Sequence, residues 1–569
     1  MDKYLKKITI AFWIVAIIGT LTWSLTMVKS GLVYSFGMGF WGPNGHDGVW
    51  HIALAESLAK GSWPMPVFAG ETIKNYHIGF DLILAIIHKL TFIPPLNLYF
   101  QIIPPILALG IGLSVYWFVL TWKKSKPAAF WATFFVYFGG SFGWIITLLR
   151  NREIGGESLF WAQQSISTLI NPPFALSLIL MFSGLTLLIK GTRAEDKKRL
   201  ILATFIFGVL VQIKVYAGLL SLGALFISGI FRMARKRKID VIKVFAGALV
   251  VSILLFSPLG RGIENTIIFK PFWFLETMMG FADRLNWQRF YSAMVNYRLG
   301  GVWLKGILAY FAAFLIFLIG NMGTRIVGLG LVVGGWWRRR LTSIDVFIFA
   351  VIIAGIVIPM FYIQSGTAWN TLQFFYYALA FSGLMTGIWL GEFIKDKSTA
   401  MTRIIVVVFV VLFTLPTTVG TLRQYLPARP PAKISHEELA ALDFLSRQPA
   451  GVVLTLPFDR DAAEKALDNP PRPLYLYEST AYVSALSGKR VYLEDEVNLD
   501  ITGYDWRCRR ESVEKFLVAE SGEKQKFLRE SNISYLYFIR GLEPKVDWEA
   551  LGAEKIFETN EAEIYKVNN

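Results

Sequence analysis

Apolar segments of near 20 residues recur along this chain from Lys7 to Thr421. A helix of about 20 apolar residues is long enough to cross the ~30 Å hydrocarbon core of a bilayer. The segments lack the alternation of barrel strands, and unpaired backbone groups are too costly in lipid. A hydrophobic fraction of 54% also exceeds what a soluble protein can bury. The sequence therefore predicts a polytopic α-helical membrane protein.

The formal charge of +16 does not indicate a nucleic-acid partner. The basic residues form short clusters between the apolar segments, as expected for cytoplasmic loops under the positive-inside rule. The clusters are Lys123–Lys126, Arg193–Arg199, Arg232–Lys238, Arg338–Arg340 and Lys395–Arg403. The single cysteine, Cys508, rules out an internal disulfide.

The same charges define a topology. Lys3, Lys6 and Lys7 place the N-terminus in the cytoplasm, and the following segment is too long for a signal peptide. We expect about 11 spans, with a range of about 9–13. Their approximate positions are 8–28, 100–121, 127–149, 173–190, two that meet outside near Lys214, 241–259, 302–320, 343–363, 371–394 and 402–422.

The apolar segment Phe80–Ile93 is too short and too charged for a full span, and it is predicted to be a juxtamembrane or re-entrant helix. An odd number of spans places the C-terminus on the outer face, together with the long first loop. We therefore expect a multi-pass protein of a prokaryotic plasma membrane, with a cytoplasmic N-terminus and an extracytoplasmic C-terminal domain.

The composition changes after Arg423, which suggests three parts. These are a transmembrane domain at 1–424 with its first outer loop at 29–99, a Pro-rich linker at 425–432, and an extracytoplasmic domain at 433–569. The last part alternates helical and strand patterns, which predicts a soluble α/β domain. The expected helices are Glu437–Arg447 and Glu511–Arg529, and the expected strands are Gly451–Leu456, Arg490–Leu493 and Ile533–Ile539.

The first outer loop concentrates residues suited to chemistry. Four of the five histidines lie there, namely His46, His51, His77 and His88. Asp47 precedes His51 by one helical turn, so the two side chains are predicted to converge. Asp47 suits a general base or a metal ligand, or alternatively a helix N-cap. His51 is either a catalytic residue or an interfacial one.

Further residues outside this pair are candidates for binding substrate. His46 and His77 are two of them, although a structural turn remains open for His77. Lys214 between two spans suits a phosphate, or it extends its amine to the membrane surface. Arg289 and Arg298 offer bidentate phosphate contacts. Asn370 and Gln373 face a cavity or make a helix-end hydrogen bond.

Two segments resemble a known family. Asp47-Gly-Val-Trp-His51 is similar to the Asp-x-x-Tyr-His segment in the first outer loop of oligosaccharyltransferase catalytic subunits. Tyr76-His-Ile-Gly-Phe-Asp-Leu82 resembles the aromatic-rich segment of protein mannosyltransferases and lipid A aminoarabinose transferases. The motifs span a few residues, whereas the layout of the whole chain resembles the GT-C membrane glycosyltransferases.

The resemblance implies a GT-C-like fold and transfer of a sugar from a polyprenyl phosphate or diphosphate. The acceptor would be a glycan, lipid or protein on the outer face, and the reaction would invert the anomeric centre. Asp47 would be the base, and Lys214 with the loop arginines would stabilise the departing phosphate. Membrane lipids are the remaining expected partner.

The sequence departs from this family in three places. His46 and Gly48 flank Asp47 where many members have adjacent acidic residues. The Trp-Trp-Asp motif of oligosaccharyltransferases is absent, since Trp336-Trp337 precedes Arg338, which argues against Asn glycosylation. The second outer loop has no clear acidic pair. A divalent cation, Mg²⁺ or Mn²⁺, is left open, with Asp47 as its ligand if one is used.

Two other classes of protein were weighed. A transporter or lipid flippase predicts charged residues in the middle of spans and two similar halves, and the sequence shows few such charges and no halved pattern. A non-catalytic scaffold with an outer binding domain predicts that Asp47→Asn leaves the phenotype intact. Neither explains the concentration of histidine and aromatic residues in the first loop.

Overall fold

The computed structural model describes residues 9–61, 63–256, 267–330, 341–395 and 399–568. The Trp336-Trp337 pair, the Arg338–Arg340 cluster and part of the Lys395–Arg403 cluster lie outside these ranges. Contacts divide the chain into two compact units. One unit, which we call the membrane unit, comprises Met1–Thr26, Pro105–Pro258 and Ile267–Tyr425. The other is formed mainly by Met27–Pro104 and Leu426–Asn569, and we call it the outer unit after its predicted location. The predicted domain boundaries at 424 and 433 stay a prediction.

The described part of the membrane unit is almost entirely helical. Among the residues that the structure describes, seven helices are long and apolar enough to cross a membrane, or eight if the bent pair Lys126–Phe138 and Gly143–Asn151 counts as one span. The main helices are Ile10–Leu25, Ile103–Lys123, Lys126–Phe138, Gly143–Asn151, Pro172–Ala194, Lys197–Ile213, Val215–Lys236, Asp240–Phe256, Trp303–Met322, Ser343–Phe361, Gln373–Lys395 and Ala400–Tyr425. The expected spans coincide with helices, except that the one expected at 127–149 is the bent pair, so the polytopic α-helical prediction is confirmed.

Shorter elements connect these helices. Helices Trp273–Gly280 and Gln288–Leu299 occupy the expected third outer loop. Strand Ile267–Phe269 pairs antiparallel with Tyr362–Gln364. The junction of Lys197–Ile213 with Val215–Lys236 falls at Lys214, whose extended backbone separates the two helices. The predicted meeting point of two spans is therefore a real helix break.

The bend after Phe138 has a local cause. Helix Lys126–Phe138 ends at Gly139, and the next helix, Gly143–Asn151, departs at 44°. A Cβ at Gly139 would lie 2.9 Å from Cδ of Arg325, so a larger residue would not fit beside that side chain. Gly387 and Gly391 similarly allow helix Gln373–Lys395 to pack directly on the backbone near Ala132 and Ala128. Small residues at such contacts are typical of membrane helix packing.

The segment expected as the second outer loop, 150–172, is not a simple surface loop. Glu153 is exposed, but nearly every residue from Glu157 to Ile170 is buried. Gln164 accepts a 2.6 Å hydrogen bond from Nη1 of Arg325, which is 1% exposed. Ser167 donates to the carboxylate of Glu157. The acidic residues of this loop therefore do not form an exposed pair, because Glu157 belongs to a buried network.

The outer unit contains two sheets. The first has the strand order Leu32–Tyr34, Gly37–Phe40, Ala432–Ile434 and Arg472–Pro473. The second has the order Ala553–Glu558, Ala562–Val567, Ile533–Ile539, Val452–Leu454 and Arg490–Val491. In the first sheet Met38 is opposite Ile434, so the first loop and the C-terminal segment share a ladder.

Helices accompany both sheets. They are Asp47–Ala59, Gly79–Thr91, His436–Arg447, Arg460–Lys465, Tyr482–Ser487, Glu496–Thr502, Arg507–Val518 and Ser521–Glu530. The predicted α/β domain and its strand at Ile533–Ile539 are confirmed. The single helix expected at Glu511–Arg529 is instead two helices, which break at the extended Ala519 and Glu520. Gly522 lowers the helix propensity just after this break.

Candidate active site

Asp47 is the first residue of the helix Asp47–Ala59. His46 occupies the preceding cap position, and its side chain makes no capping hydrogen bond. The structure therefore does not support the alternative in which Asp47 is an N-cap. The Asp47 side chain is 44% exposed, so its carboxylate is accessible. An acidic group at a helix N-terminus is favoured by the helix dipole, which stabilises the ionised form.

His46 lies between two carboxylates. Its Nδ1 is 3.1 Å from Oδ1 of Asp47, and its Nε2 is 3.4 Å from Oδ1 of Asp495. Burial disfavours the charged imidazolium, but the carboxylates of Asp495 and Asp47, together with Glu478, outweigh it and raise the pKa of His46 well above its usual value. An imidazolium ring donates from both nitrogens. It can therefore hold Asp47 in one orientation.

Asp495 is positioned by its own surroundings. It is fully buried, has a left-handed backbone at φ 52°, and caps the helix Glu496–Thr502 by accepting a 3.1 Å hydrogen bond from the Asn498 amide. Its Oδ2 also accepts a 2.9 Å bond from Nδ2 of Asn498. Asp495 was not identified in the sequence. The only signal was the acidic run Glu494-Asp-Glu496 after a predicted strand.

His51 has a different partner. Its Nδ1 is 2.7 Å from Oδ1 of Asp81, and both side chains are buried. The ring of His51 stacks on Tyr99 with centroids 5.5 Å apart. Tyr99 also interacts electrostatically with both Asp47 and Asp81. Asp47 and His51, which were predicted to converge, thus both interact with Tyr99. The direct partner of His51 is Asp81, a residue that the sequence analysis did not single out.

His77 belongs to an aromatic cluster beside this pair. Tyr76 lies 4.5 Å from His77, 5.4 Å from Trp50 and 6.3 Å from His51 between ring centroids. His77 is 8% exposed. The structure therefore brings both His51 and His77 next to the ring of Tyr76.

A cavity of about 630 Å³ opens in the C-terminal segment next to Asp495. We call it the acidic cavity. It is lined among others by Phe458, Tyr475, Glu478, Glu494, Asp495 and Arg510. Glu478 interacts electrostatically with His46 and Asp47 while lining this cavity. The cavity and the Asp47 carboxylate therefore belong to one electrostatic cluster within the outer unit.

Glu494 makes the stability of the protein depend on pH. Burial raises its pKa from 4.5 to about 8, although amide hydrogen bonds from Val483 and Ser484 oppose the shift. The folded state thus binds a proton that the unfolded state loses. This stabilisation is complete below the unfolded pKa of 4.5 and is lost as pH rises through about 8.

The melting temperature of the wild type should fall between pH 4.5 and about 8, since each unit of pKa shift is worth about 1.4 kcal/mol. We expect Glu494→Gln to reduce this fall, because glutamine does not titrate. Intrinsic tryptophan fluorescence during heating measures this. The exposed Glu464 provides the matched control, and Glu464→Gln should keep the wild-type slope. Equal slopes for wild type and Glu494→Gln would contradict the assignment.

The remaining predicted residues belong to the membrane unit. Lys214 is buried, with Nζ 5.6 Å from the ring of Tyr216. The Tyr216 hydroxyl donates a 3.0 Å hydrogen bond to Gln364, and its ring is 4.9 Å from Phe374. The structure therefore places the Lys214 junction beside the polar stretch that begins at Gln364.

The four other predicted residues, Arg289, Arg298, Asn370 and Gln373, are either exposed or paired with a neighbouring side chain. Gln373 donates a 3.3 Å hydrogen bond to Oδ1 of Asn370, which is the helix-end bond considered as an alternative to a cavity role. Arg298 is 2.9 Å from the carboxylate of Glu276, while Arg289 is exposed on the helix Gln288–Leu299. Within the membrane unit, these arginines lie on a separate element from Lys214.

A metal site is not evident around Asp47. In the described ranges, no group of three or more His, Cys, Asp or Glu side chains is arranged to hold an ion. The ring of His46 lies between the carboxylates of Asp47 and Asp495, so an imidazole rather than an ion bridges these two groups. The residues described here therefore do not fit a divalent cation.

Comparison with known proteins gives a fold. No protein-family model matches the sequence, and no curated protein matches it. The structure is similar to the Archaeoglobus fulgidus oligosaccharyltransferase tethered with an acceptor peptide, at 12% identity and a TM-score of 0.51, over 93% of this chain and 69% of that chain. It is also similar to the mycobacterial arabinofuranosyltransferase AftD, at 13% identity and a TM-score of 0.53, over 98% of this chain and 40% of that chain.

The protein is an integral, polytopic α-helical membrane protein with a soluble α/β domain. Within that class, the two similarities show that its fold is that of the GT-C membrane glycosyltransferases. The GT-C fold expected from the first-loop segments is therefore confirmed.

Proposed function

We propose that this protein is a membrane glycosyltransferase that uses a polyprenyl-phosphate or polyprenyl-diphosphate sugar as donor. The observation that carries the proposal is the accessible Asp47 carboxylate, held by His46 and Asp495 in a chain with the GT-C fold. The two structural neighbours above are both glycosyltransferases, which supports the transferase class. The lipid-linked donor rests on the sequence resemblance.

In the proposed reaction, Asp47 accepts the proton of an acceptor hydroxyl. An electron pair of the acceptor oxygen then forms a bond to the anomeric carbon. The bond from that carbon to the phosphate oxygen breaks on the opposite face, and its electron pair leaves with the lipid phosphate. The anomeric centre is therefore inverted. Removal of a proton by a positioned base contributes typically ~10²–10⁴-fold to the rate.

The chain assigns supporting roles to the neighbouring side chains. His46, oriented by Asp495, fixes Asp47 and contacts substrate. His51, oriented by Asp81, is the second catalytic candidate. His77 borders the same aromatic cluster and would bind the sugar. Contacts within the outer unit support the proposed positioning of these side chains.

Five residues of the membrane unit are proposed to bind the donor. Lys214, Arg289 and Arg298 would stabilise the charge that develops on the leaving phosphate. Asn370 and Gln373 would contribute hydrogen bonds to the donor, if ligand binding replaces the bond that now joins them. Replacement of Asn370 or Gln373 should raise KM for the donor without changing kcat. Replacement of Lys214, Arg289 or Arg298 should lower kcat, because the charge that they stabilise develops in the transition state.

The test of the function is donor cleavage. Purified full-length protein is incubated with a panel of polyprenyl-phosphate and polyprenyl-diphosphate sugars, and free polyprenyl phosphate or diphosphate is measured with and without a mixed acceptor extract. Release that increases with acceptor supports the proposal. Transbilayer movement of an intact lipid-linked sugar, without cleavage, would instead identify a flippase.

The proposed topology gives a separate prediction. A reporter fused after Asn569 should be active on the outer side of the membrane, and one fused before Met1 should be active in the cytoplasm. The expectation follows from the positions of the basic clusters. A cytoplasmic location of the C-terminus would remove Asp47 from the outer face and contradict the proposed site.

A further inference from the structure

The acidic cavity has an uneven chemical lining. Six of its side chains are carboxyls and two are guanidinium groups; the carboxyls are Asp459, Asp461, Glu478, Glu494, Asp495 and Glu496, and the guanidinium groups are Arg460 and Arg510. Even with Glu494 protonated, acidic groups outnumber basic ones. The lining therefore disfavours an anionic ligand by like-charge repulsion.

One of the two basic groups is already engaged. Arg510 is 2.5 Å from Glu496 through Nη1 and 2.8 Å from Glu514 through Nε. Its Nη2 donates a 3.0 Å hydrogen bond to the carbonyl of Phe458. The guanidinium of Arg510 is therefore paired within the protein. The rest of the polar lining is mostly carboxylates and hydroxyls.

This lining matches a ligand with many O–H donors. Ionised carboxylates only accept hydrogen bonds, whereas hydroxyl side chains donate and accept. The hydroxyls of Ser479 and Thr480 and the rings of Tyr475 and Tyr482 add polar and flat apolar surface. A peptide presents one acceptor carbonyl for each backbone donor, and many of those carbonyls would face carboxylates here.

The cavity is linked to Asp47 through the side chains of Asp495 and His46. Asp495 lines the cavity, its Oδ1 is 3.4 Å from His46, and His46 is 3.1 Å from Asp47. Glu478 lines the same cavity and interacts electrostatically with both His46 and Asp47. A ligand in the cavity would therefore lie close to the proposed base.

We propose that the acidic cavity is the acceptor subsite and that the acceptor is an uncharged or amino-substituted saccharide. The volume of about 630 Å³ accommodates a short oligosaccharide and falls in the range of small-molecule sites, roughly 300–1,000 Å³. The acceptor role rests on the proposed glycosyltransferase function, but saccharide binding to the cavity does not.

Binding to the purified full-length protein is measured first, by isothermal titration. The neutral probes are maltotriose and the trimer of N-acetylglucosamine, and the amino probe is the trimer of glucosamine. Trigalacturonic acid and a lysine-containing peptide complete the set. Binding of at least one neutral or amino trisaccharide, with no binding of trigalacturonic acid, is expected. The proposal is overturned if all the neutral and amino trisaccharides fail to bind, or if only the peptide or the acidic sugar binds.

Two matched variants locate the binding. Ala462 lines the cavity at its rim, and Ala466 lies one turn further along but outside it. Ala462→Trp fills the space and should weaken saccharide binding at least ~10-fold, whereas Ala466→Trp should bind as wild type. Unchanged binding by Ala462→Trp would overturn the assignment. Melting curves of both variants exclude loss of folding.

Charge variants test the selectivity. Asp461 lines the cavity, and Glu464 on the same helix does not. Asp461→Lys reduces the excess of ionised carboxyls over basic groups in the lining from three to one, so trigalacturonic acid should bind to it more tightly than to Glu464→Lys or to wild type. In Ala462→Trp, hydrolysis of the donor by water should continue while acceptor-dependent transfer falls. Failure of the glycosyltransferase proposal would abolish both reactions in wild type but would leave saccharide binding intact, so the two failures are distinguishable.

Discussion

Asp47→Asn is expected to lower acceptor-dependent release of polyprenyl phosphate by at least ~10²-fold, because the amide cannot accept the acceptor proton. Asn keeps the size of the side chain, and its carbonyl oxygen can still accept a hydrogen bond from His46. The effect should therefore fall on kcat, with little change in KM for the donor. The measurement is steady-state product release with donor and acceptor varied separately.

A matched control separates chemistry from folding. Glu71 is an exposed acid of the same outer unit, and Glu71→Gln removes an equal charge. It should retain wild-type rates, and all three proteins should melt at similar temperatures. If Asp47→Asn and wild type released product equally, Asp47 would have no role as a base, and the base would have to be sought at His51 or elsewhere in the outer unit.

The largest expected effect on stability comes from Asp81→Ala. His51 and Asp81 are both buried and only 2.7 Å apart. Removal of Asp81 leaves the buried Nδ1 of His51 without this partner, and an unsatisfied buried polar group typically costs about 1–3 kcal/mol. We expect the melting temperature of the purified protein to fall strongly, as measured by tryptophan fluorescence during heating in detergent.

The double variant His51→Phe with Asp81→Ala tests the cause. Phenylalanine keeps the ring that stacks on Tyr99 but has no nitrogen that needs a partner. Replacing both members of a buried polar pair by apolar groups is often close to neutral. The double variant should therefore be more stable than Asp81→Ala alone. If it were less stable, the loss in Asp81→Ala would come from the helix start rather than from the pair.

The sequence alone determined the features that depend on local pattern. Apolar segments of sufficient length predicted the membrane helices, since the length of a span is set by bilayer thickness. The aliphatic and aromatic residues of Ile533–Ile539 predicted a strand with those bounds, and the charged apolar segment near Phe80 predicted a short helix. Asp47 and the histidines were selected because their types are suited to chemistry.

The tertiary structure alone decided which of these residues meet. His46 lies close to Asp495 where the helix Tyr482–Ser487 packs on the helix Asp47–Ala59. His51 meets Asp81 because the helices Asp47–Ala59 and Gly79–Thr91 pack. The burial of Glu157 likewise depends on Ser167 and Arg325. Periodicity reports whether a side chain faces an apolar or a polar environment, but not which distant segment provides that environment. Long-range pairing depends on the packing of the whole unit, so it could not be predicted from one sequence.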